Sequence, residues 1–348
     1  MVIISAFIVV LGFIPLICKL ADRAGFVDKP DGRKQHDKAV PPLGGAVIFT
    51  TFLTYMMIFG SMPWAVFAAL ALILVLGIVD DAWEVNATLK FLLHFMAAFM
   101  LVIGGGAQIH SLGNLLGFGD IHLWWLAIPF SVACVVYIQN AVNMMDGVDG
   151  LAGGYSFLVF AWLMLAEIMA FDHILNQQIL ILMACLGGFL VYNMRSPFLK
   201  NAKIFLGDAG SMALGLMIAW YAITLTQGQF AIMKPVSVAW IIALPIFDSF
   251  ALLVTRIRAG HPPFKPDRRH FHHHFANAGF TPGQTTALIL SYSALLGAIG
   301  FFGIKIGVPE YILGWGWVAL WMGHTVLTLK SEKFIQLLVA VRARIQRQ

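Results

Sequence analysis

Residues 62–81 read MPWAVFAALALILVLGIVDD. The first eighteen carry no charge, and the stretch closes on two adjacent aspartates. An α-helix needs about 17–25 mainly apolar residues to cross a hydrocarbon core ~30 Å thick. This run is therefore a candidate span whose acidic end meets water. One such run does not decide a fold, because a buried helix of a soluble protein can look the same. Here the pattern repeats. Comparable runs lie near 1–21, 43–60, 90–104, 122–142, 151–171, 176–194, 207–227, 235–256, 287–306 and 308–329, eleven in all with the first. Of the 348 residues, 60% are hydrophobic and 11% charged, and mean hydropathy is +0.84. Such a composition excludes a soluble globular protein. It predicts an all-α, polytopic integral membrane protein of about eleven transmembrane helices.

The first run has no basic residue before Lys19. It lacks the charged start of a secretory signal and reads as an uncleaved span with its N-terminus outside. Threading eleven spans from there leaves the C-terminus in the cytoplasm. All of the 22 lysines and arginines except Lys234 and Lys305 then fall on the cytoplasmic side. That is the side enriched in these residues in membrane proteins. The net charge of +5 thus reflects sidedness, and no nucleic-acid partner is expected. Cys18, Cys134 and Cys185 lie in apolar runs without a CxxC pair, as small buried hydrophobes do. Residues 1–329 read as one transmembrane domain. In the tail, 330–348, Phe334, Leu338, Val341 and Ile345 recur at helical spacing among basic residues. This predicts an amphipathic segment on the inner leaflet, in contact with acidic lipids.

Most remaining polarity falls in cytoplasmic loops, at 21–42, 80–90, 140–154, 195–211 and 256–284. Asp80 and Asp81 are adjacent, and like charges resist ionising together unless a cation shares the site. The plain alternative is a helix end solvated among headgroups. Asp208 lies in the turn GDAGS opening one span, and Asp146 and Asp149 lie in DGVDG opening another. Each could be an ordinary helix cap. Yet both turns present helix N-termini, whose free N–H groups suit phosphate, and converging acids suit Mg²⁺. The run RRHFHHH (268–274) adds four imidazoles and two guanidiniums. Metal ligation, pH sensing and anion binding are all open to it. The neighbouring arginines and the absence of a nearby cysteine favour an anion such as a diphosphate. Asp248, in PIFDSF, lies about 12 Å inside Arg256 at ~1.5 Å per residue. An acid at that depth needs a partner, so it reads as an ion pair or loop anchor rather than a catalyst.

Taken together these loops resemble the polyprenyl-phosphate N-acetylhexosamine-1-phosphate transferase superfamily. The resemblance rests on DKPDGRKQH…PPLGG (28–45), the DD pair with Lys90, NMMDGVDGL (143–151), FLGDAGS (205–211) and PFKPDRRHFHHHFANAGF (263–280). It covers most of the chain. The last piece is similar to the branch using undecaprenyl phosphate and UDP-N-acetylglucosamine. HHHFANAG lacks the glutamate usual in the muramoyl-pentapeptide branch.

The resemblance implies attack of a lipid phosphate on a UDP-sugar at the cytoplasmic face of the bacterial inner membrane. UMP would leave, and the lipid product would start a cell-surface polysaccharide such as O-antigen. It implies Mg²⁺, with Mn²⁺ as substitute, on Asn143 and Asp208. Asp80 would deprotonate or orient the lipid phosphate with Asp81 in support, and Lys90 would hold a phosphate. Asp149 and Phe205 would contact uracil, with Asp146 lining the same pocket. Lys34, Arg268, His270, His272, His273 and His274 would bind substrate, the histidines as a diphosphate cradle on a flexible lid. A homodimer is compatible with the sequence. Another UDP-N-acetylhexosamine donor is the near alternative. A secondary transporter or lipid flippase is the remote one, since it calls for ionisable residues near the midplane and broken, repeated helices.

Overall fold

The computed structural model describes residues 1–28, 39–60, 62–171, 175–260 and 270–345. Lys34 and Arg268 lie outside the described residues. Within these bounds the chain is helical, with three isolated bridge pairs and no strand. The helices are α1 (Val2–Ala24), α2 (Gly44–Phe59), α3 (Trp64–Trp83), α4 (Ala87–Phe99), α5 (Ala127–Met145), α6 (Leu151–Ala170) and α7 (Asn176–Asn193). There follow α8 (Gly207–Thr224), α9 (Pro235–Ile241), α10 (Ala243–Arg258), α11 (Phe271–Asn277), α12 (Pro282–Lys305), α13 (Glu310–Leu329) and α14 (Ser331–Ile345).

Each of the eleven apolar runs lies on helix. Among the described residues, however, seven helices are long and apolar enough to cross a membrane, or up to eight with the bent pair α9–α10 as one span. The protein is a multi-pass membrane protein. The shortfall from eleven has a physical cause. Helix α2 has 16 residues, α7 opens on Asn-Gln-Gln and closes on Asn, and α8 opens on Gly-Asp-Ala-Gly-Ser with nearly every later residue buried. A helix sheathed by other helices does not need the hydropathy that lipid demands of an exposed one.

The chain forms two compact units, Met1–His110 with Leu123–Met233, and Ser111–His122 with Lys234–Gln348. In the first, α8 runs through the core, packed by α2, α3, α5 and α6. Small residues let the backbones meet, as in membrane helix pairs generally. A Cβ on Gly45 would lie 2.1 Å from the Gly210 nitrogen, and one on Gly77 would lie 2.1 Å from Ala209 Cα.

In the second unit, α9 and α10 meet at 71°. The indole nitrogens of Trp240 and Trp317 tie neighbouring helices by donating to the Leu313 and Ala239 carbonyls. Thr281 and Gln284 close a reciprocal capping box on α12. The tail is helical as expected, but Phe334 and Leu338 are buried, and Phe334 packs against rings of α11. Leu337, Val339 and Val341 are exposed large apolar residues of α14.

Candidate active site

The site of the first unit is built on the start of α8. Gly207 sits at φ 74°, and a Cβ there would meet the Pro42 carbonyl oxygen at 2.4 Å and Asp81 Oδ2 at 2.6 Å. Only glycine fits, and the chain can then enter α8 directly beneath the Asp81 carboxylate. The amides of Asp208 and Ala209 donate to Asp81 Oδ1 and Oδ2, at 2.9 and 3.2 Å. Asp81, from a different helix, thus satisfies N–H groups that the first turn of α8 cannot pair internally.

That arrangement releases Asp208 from capping. Its Oδ2 accepts from Lys90 Nζ at 2.8 Å and its Oδ1 from Asn143 Nδ2 at 2.8 Å. Asn143 also donates to Ser211 Oγ at 2.8 Å. Asp80 forms an ion pair with the same Lys90 and accepts from the Val85 amide at 2.8 Å. One ammonium therefore stands between two carboxylates carried by α3 and α8. The reading of Asp80 and Asp81 as a solvated helix end, and of Asp208 as an ordinary cap, is not what the structure shows.

The α5–α6 turn supplies Asp146 and Asp149. Asp146 is solvent-exposed, with protein packed closely around its carboxyl. Burial, then the charges of Asp208, Asp81 and Asp149, push its carboxyl up to about 8. Arg195 Nε donates to Asp149 Oδ2 at 2.6 Å. Asn193, buried at the end of α7, accepts from the Gly150 amide at 2.8 Å and donates to the Ile204 carbonyl at 2.9 Å. It locks the Asp149 turn to the Phe205–Asp208 turn. Phe205, half-buried, is also tied by backbone bonds to Pro41 and Gly44.

Sequence reasoning passed over Asn193, Ser211 and His94, whose Nε2 lies 3.0 Å from Met212 Sδ, and saw Arg195 only as a topological charge. A polar side chain at the end of an apolar helix was the available signal for Asn193.

The donor set suits a hard divalent cation. Among the described residues no group of three or more His, Cys, Asp or Glu could hold a metal. What the site offers is the carboxylate oxygens of Asp208 and the amide oxygen of Asn143, with Asp146 nearby, its carboxyl raised first by burial and then by the surrounding negative charge. Few protein oxygens, completed by water and substrate phosphate, is how Mg²⁺ is usually bound.

In the second unit, the residues placed on a flexible lid form a packed helix. His270 precedes α11, and its Nδ1 lies 3.0 Å from Asp248 Oδ2. The Phe271 amide donates to Asp248 Oδ1 at 2.9 Å. The rings of His270 and His272 stack at 5.5 Å, and His273 lies 4.3 Å from His272 between centroids. His272 and His274 are buried, and His273 is half-buried. Burial, then the neighbouring His273 and His270, hold His272 down to about 3, so it is a neutral imidazole at physiological pH.

Residues 63–226 match the family model described as Glycosyl transferase family 4. The undecaprenyl-phosphate alpha-N-acetylglucosaminyl 1-phosphate transferase of Escherichia coli O157:H7 is 31% identical over 350 residues, covering 99% of this chain and 95% of that protein. The protein of the same name from Escherichia coli K12 is 33% identical, covering 89% and 85%. That from Haemophilus influenzae is 33% identical, covering 91% of each. The chain is thus a membrane-embedded phosphotransferase, and it belongs to glycosyl transferase family 4.

Proposed function

We propose that the protein transfers N-acetylglucosamine 1-phosphate from UDP-N-acetylglucosamine to undecaprenyl phosphate, giving undecaprenyl-diphosphate-N-acetylglucosamine and UMP. The names of the three relatives support this reading. The observation that carries it is the Lys90 ammonium held between Asp80 and Asp208, with Asn143 on the other oxygen of Asp208. Such a constellation can trade one carboxylate contact for a phosphate oxygen without leaving the ammonium unpaired. The product would begin a cell-surface polysaccharide such as O-antigen. The site would face the cytoplasm from the bacterial inner membrane, as the lysine and arginine distribution supports.

In this reaction a lipid phosphate oxygen attacks the sugar-proximal phosphorus. The bond to the UMP phosphate oxygen breaks, and UMP leaves with that electron pair. Lys90 holds a phosphate oxygen. Asp80 either accepts a proton from the lipid phosphate or orients it. A phosphate monoester with a second pKa near 6 is largely ionised at pH 7, which leaves little for a base to remove and gives weight to the orienting role. Asp208 and Asn143 would hold Mg²⁺ or, in its place, Mn²⁺. When bound, the cation supplies neutralisation of the charge moving to the leaving group. Asp149, fixed by Arg195, and Phe205 contact uracil, and Asp146 lines the same pocket. His270, His272 and His273, with Lys34 and Arg268, contact the donor. His274, in the same segment, is a donor contact too, and it also lies edge-on to Phe334.

The test uses detergent-purified protein, undecaprenyl phosphate and radiolabelled UDP-N-acetylglucosamine, with Mg²⁺ or EDTA. Metal-dependent label in butanol together with released UMP is the expected result. Label from another UDP-N-acetylhexosamine alone would reassign the donor, and no transfer from any of them would overturn the reading. Asp208→Asn is expected to lower turnover at least ~100-fold while the protein remains folded in detergent.

A further inference from the structure

Asp248 is an acid buried in α10, the second arm of the bent pair α9–α10. It lies ten residues before Arg258, the last residue of α10, or about 15 Å at ~1.5 Å per residue. Only 6% of its side chain is exposed, and both oxygens are engaged, Oδ2 with His270 Nδ1 and Oδ1 with the Phe271 amide. A carboxylate at such depth is costly unless paired. Anchoring a loop would need only one acceptor for the Phe271 amide. The second oxygen does something more specific, because it fixes a ring.

A carboxylate is an acceptor only, so the imidazole nitrogen facing it must carry the proton. His270 is thereby held with Nδ1–H inward. Its other nitrogen, Nε2, has no partner among the described residues, and the ring keeps 11% of its surface exposed. The ring is braced by His272 stacked on one face and by His273 at 6.2 Å. Beneath it, Phe271 is wedged between His324 of α13 at 4.7 Å and Phe334 of α14 at 5.9 Å.

We propose that Asp248 is a positioning residue for the transfer reaction: it fixes the tautomer and aim of His270 so that Nε2 meets the donor diphosphate. The inference rests on the proposal that the histidine segment binds the UDP-sugar. With the carboxylate behind it, Nε2 can carry a proton whose charge is balanced, making a charge-assisted bond to a phosphate oxygen.

Asparagine at 248 separates this role from anchoring. The Phe271 amide remains a donor and takes the one amide oxygen, so the amide NH₂ must face His270 Nδ1. The proton then moves to Nε2 and the ring becomes a neutral donor, while the start of α11 stays capped. Asp248→Asn is expected to keep its melting temperature near wild type, whereas Asp248→Ala loses it. The asparagine variant is expected to raise the donor KM about tenfold, with kcat changed less. In a His270→Ala background it is expected to add nothing.

Ring ¹⁵N spectra of histidine-labelled protein, assigned by difference against His270→Ala, should show Nδ1 of His270 protonated in wild type and unprotonated in Asp248→Asn. The proposal is overturned by any of four results. They are a donor KM within about twofold of wild type, a full additive effect on His270→Ala, an asparagine variant as unstable as the alanine one, or an unprotonated Nδ1 in wild type. If the wild-type protein transfers nothing from any UDP-N-acetylhexosamine, the parent reading fails, and the ring spectra still decide whether Asp248 sets the tautomer.

Discussion

Asp80 and Asp81 share one helix end but face different neighbours, Asp80 the Lys90 ammonium and Asp81 the backbone of α8. Their variants should therefore separate. In Asp81→Asn one oxygen must serve two amides, which should cost about 1 kcal/mol, in the range of a lost helix cap. The measurement is a lowered melting temperature in detergent, with activity falling because Asp208 is displaced. Asp80→Asn should leave melting nearly unchanged and lower turnover, and the reverse pattern would exchange the two roles. Asp146 gives a pH signature. Its folded carboxyl is raised to about 8, above an unfolded value near 3.9, so the folded protein retains a proton that the unfolded chain has released. Stability should fall as pH rises through that window, and the slope should flatten in Asp146→Asn when melting is followed from pH 5 to 8. Equal slopes in both proteins would remove Asp146 as the cause. The acids themselves were legible in the sequence as an acidic cluster on one face. That Asp81 caps the start of α8 was not, because it depends on contacts 127 and 128 residues apart along the chain.

At the scale of elements, two short contacts set the position of functional side chains. The first turn of α8 lies against α2 and α3 because Gly45 and Gly77 carry no Cβ. In the sequence these are ordinary membrane-helix glycines, and nothing in their spacing says which ones touch. The second contact is Phe334 of α14, stacked within 9° of parallel on Phe271 and edge-on to Phe275. The amphipathic pattern of the tail identified an apolar face without identifying what covers it. Lipid was the default occupant, and the protein supplies aromatic rings for Phe334. Truncating this ring, 8% exposed, to alanine should cost about 3 kcal/mol, the lower end for a buried phenylalanine. If α14 clamps the histidine helix, Phe334→Ala should also raise the donor KM, while Leu337→Ala on the exposed side changes neither quantity. Matching effects from both variants would return the tail to a role at the lipid surface.

For the whole molecule, hydropathy located every helix now seen in the apolar runs, because the bilayer requirement acts on each run separately. It did not foresee the 71° break between α9 and α10, which falls inside one continuous apolar stretch, nor the division into two units. Both depend on packing between distant segments. Sidedness is the remaining global property, and the positive-inside distribution makes a definite expectation for it. With the N-terminus outside, α6 runs outward and α7 returns, which puts Phe171 at the outer surface and Phe198 in the cytoplasm. Both side chains are open to reagents, at 87% and 98% exposed. In a background with Cys18, Cys134 and Cys185 replaced by alanine, Phe198→Cys should react with a membrane-impermeant maleimide only in inside-out vesicles. Phe171→Cys should react only in right-side-out ones. The opposite pattern would invert the protein and place the Asp80–Lys90–Asp208 cluster away from cytoplasmic UDP-sugars. Labelling of both positions from one side would mean that α6 and α7 do not traverse the bilayer as a pair.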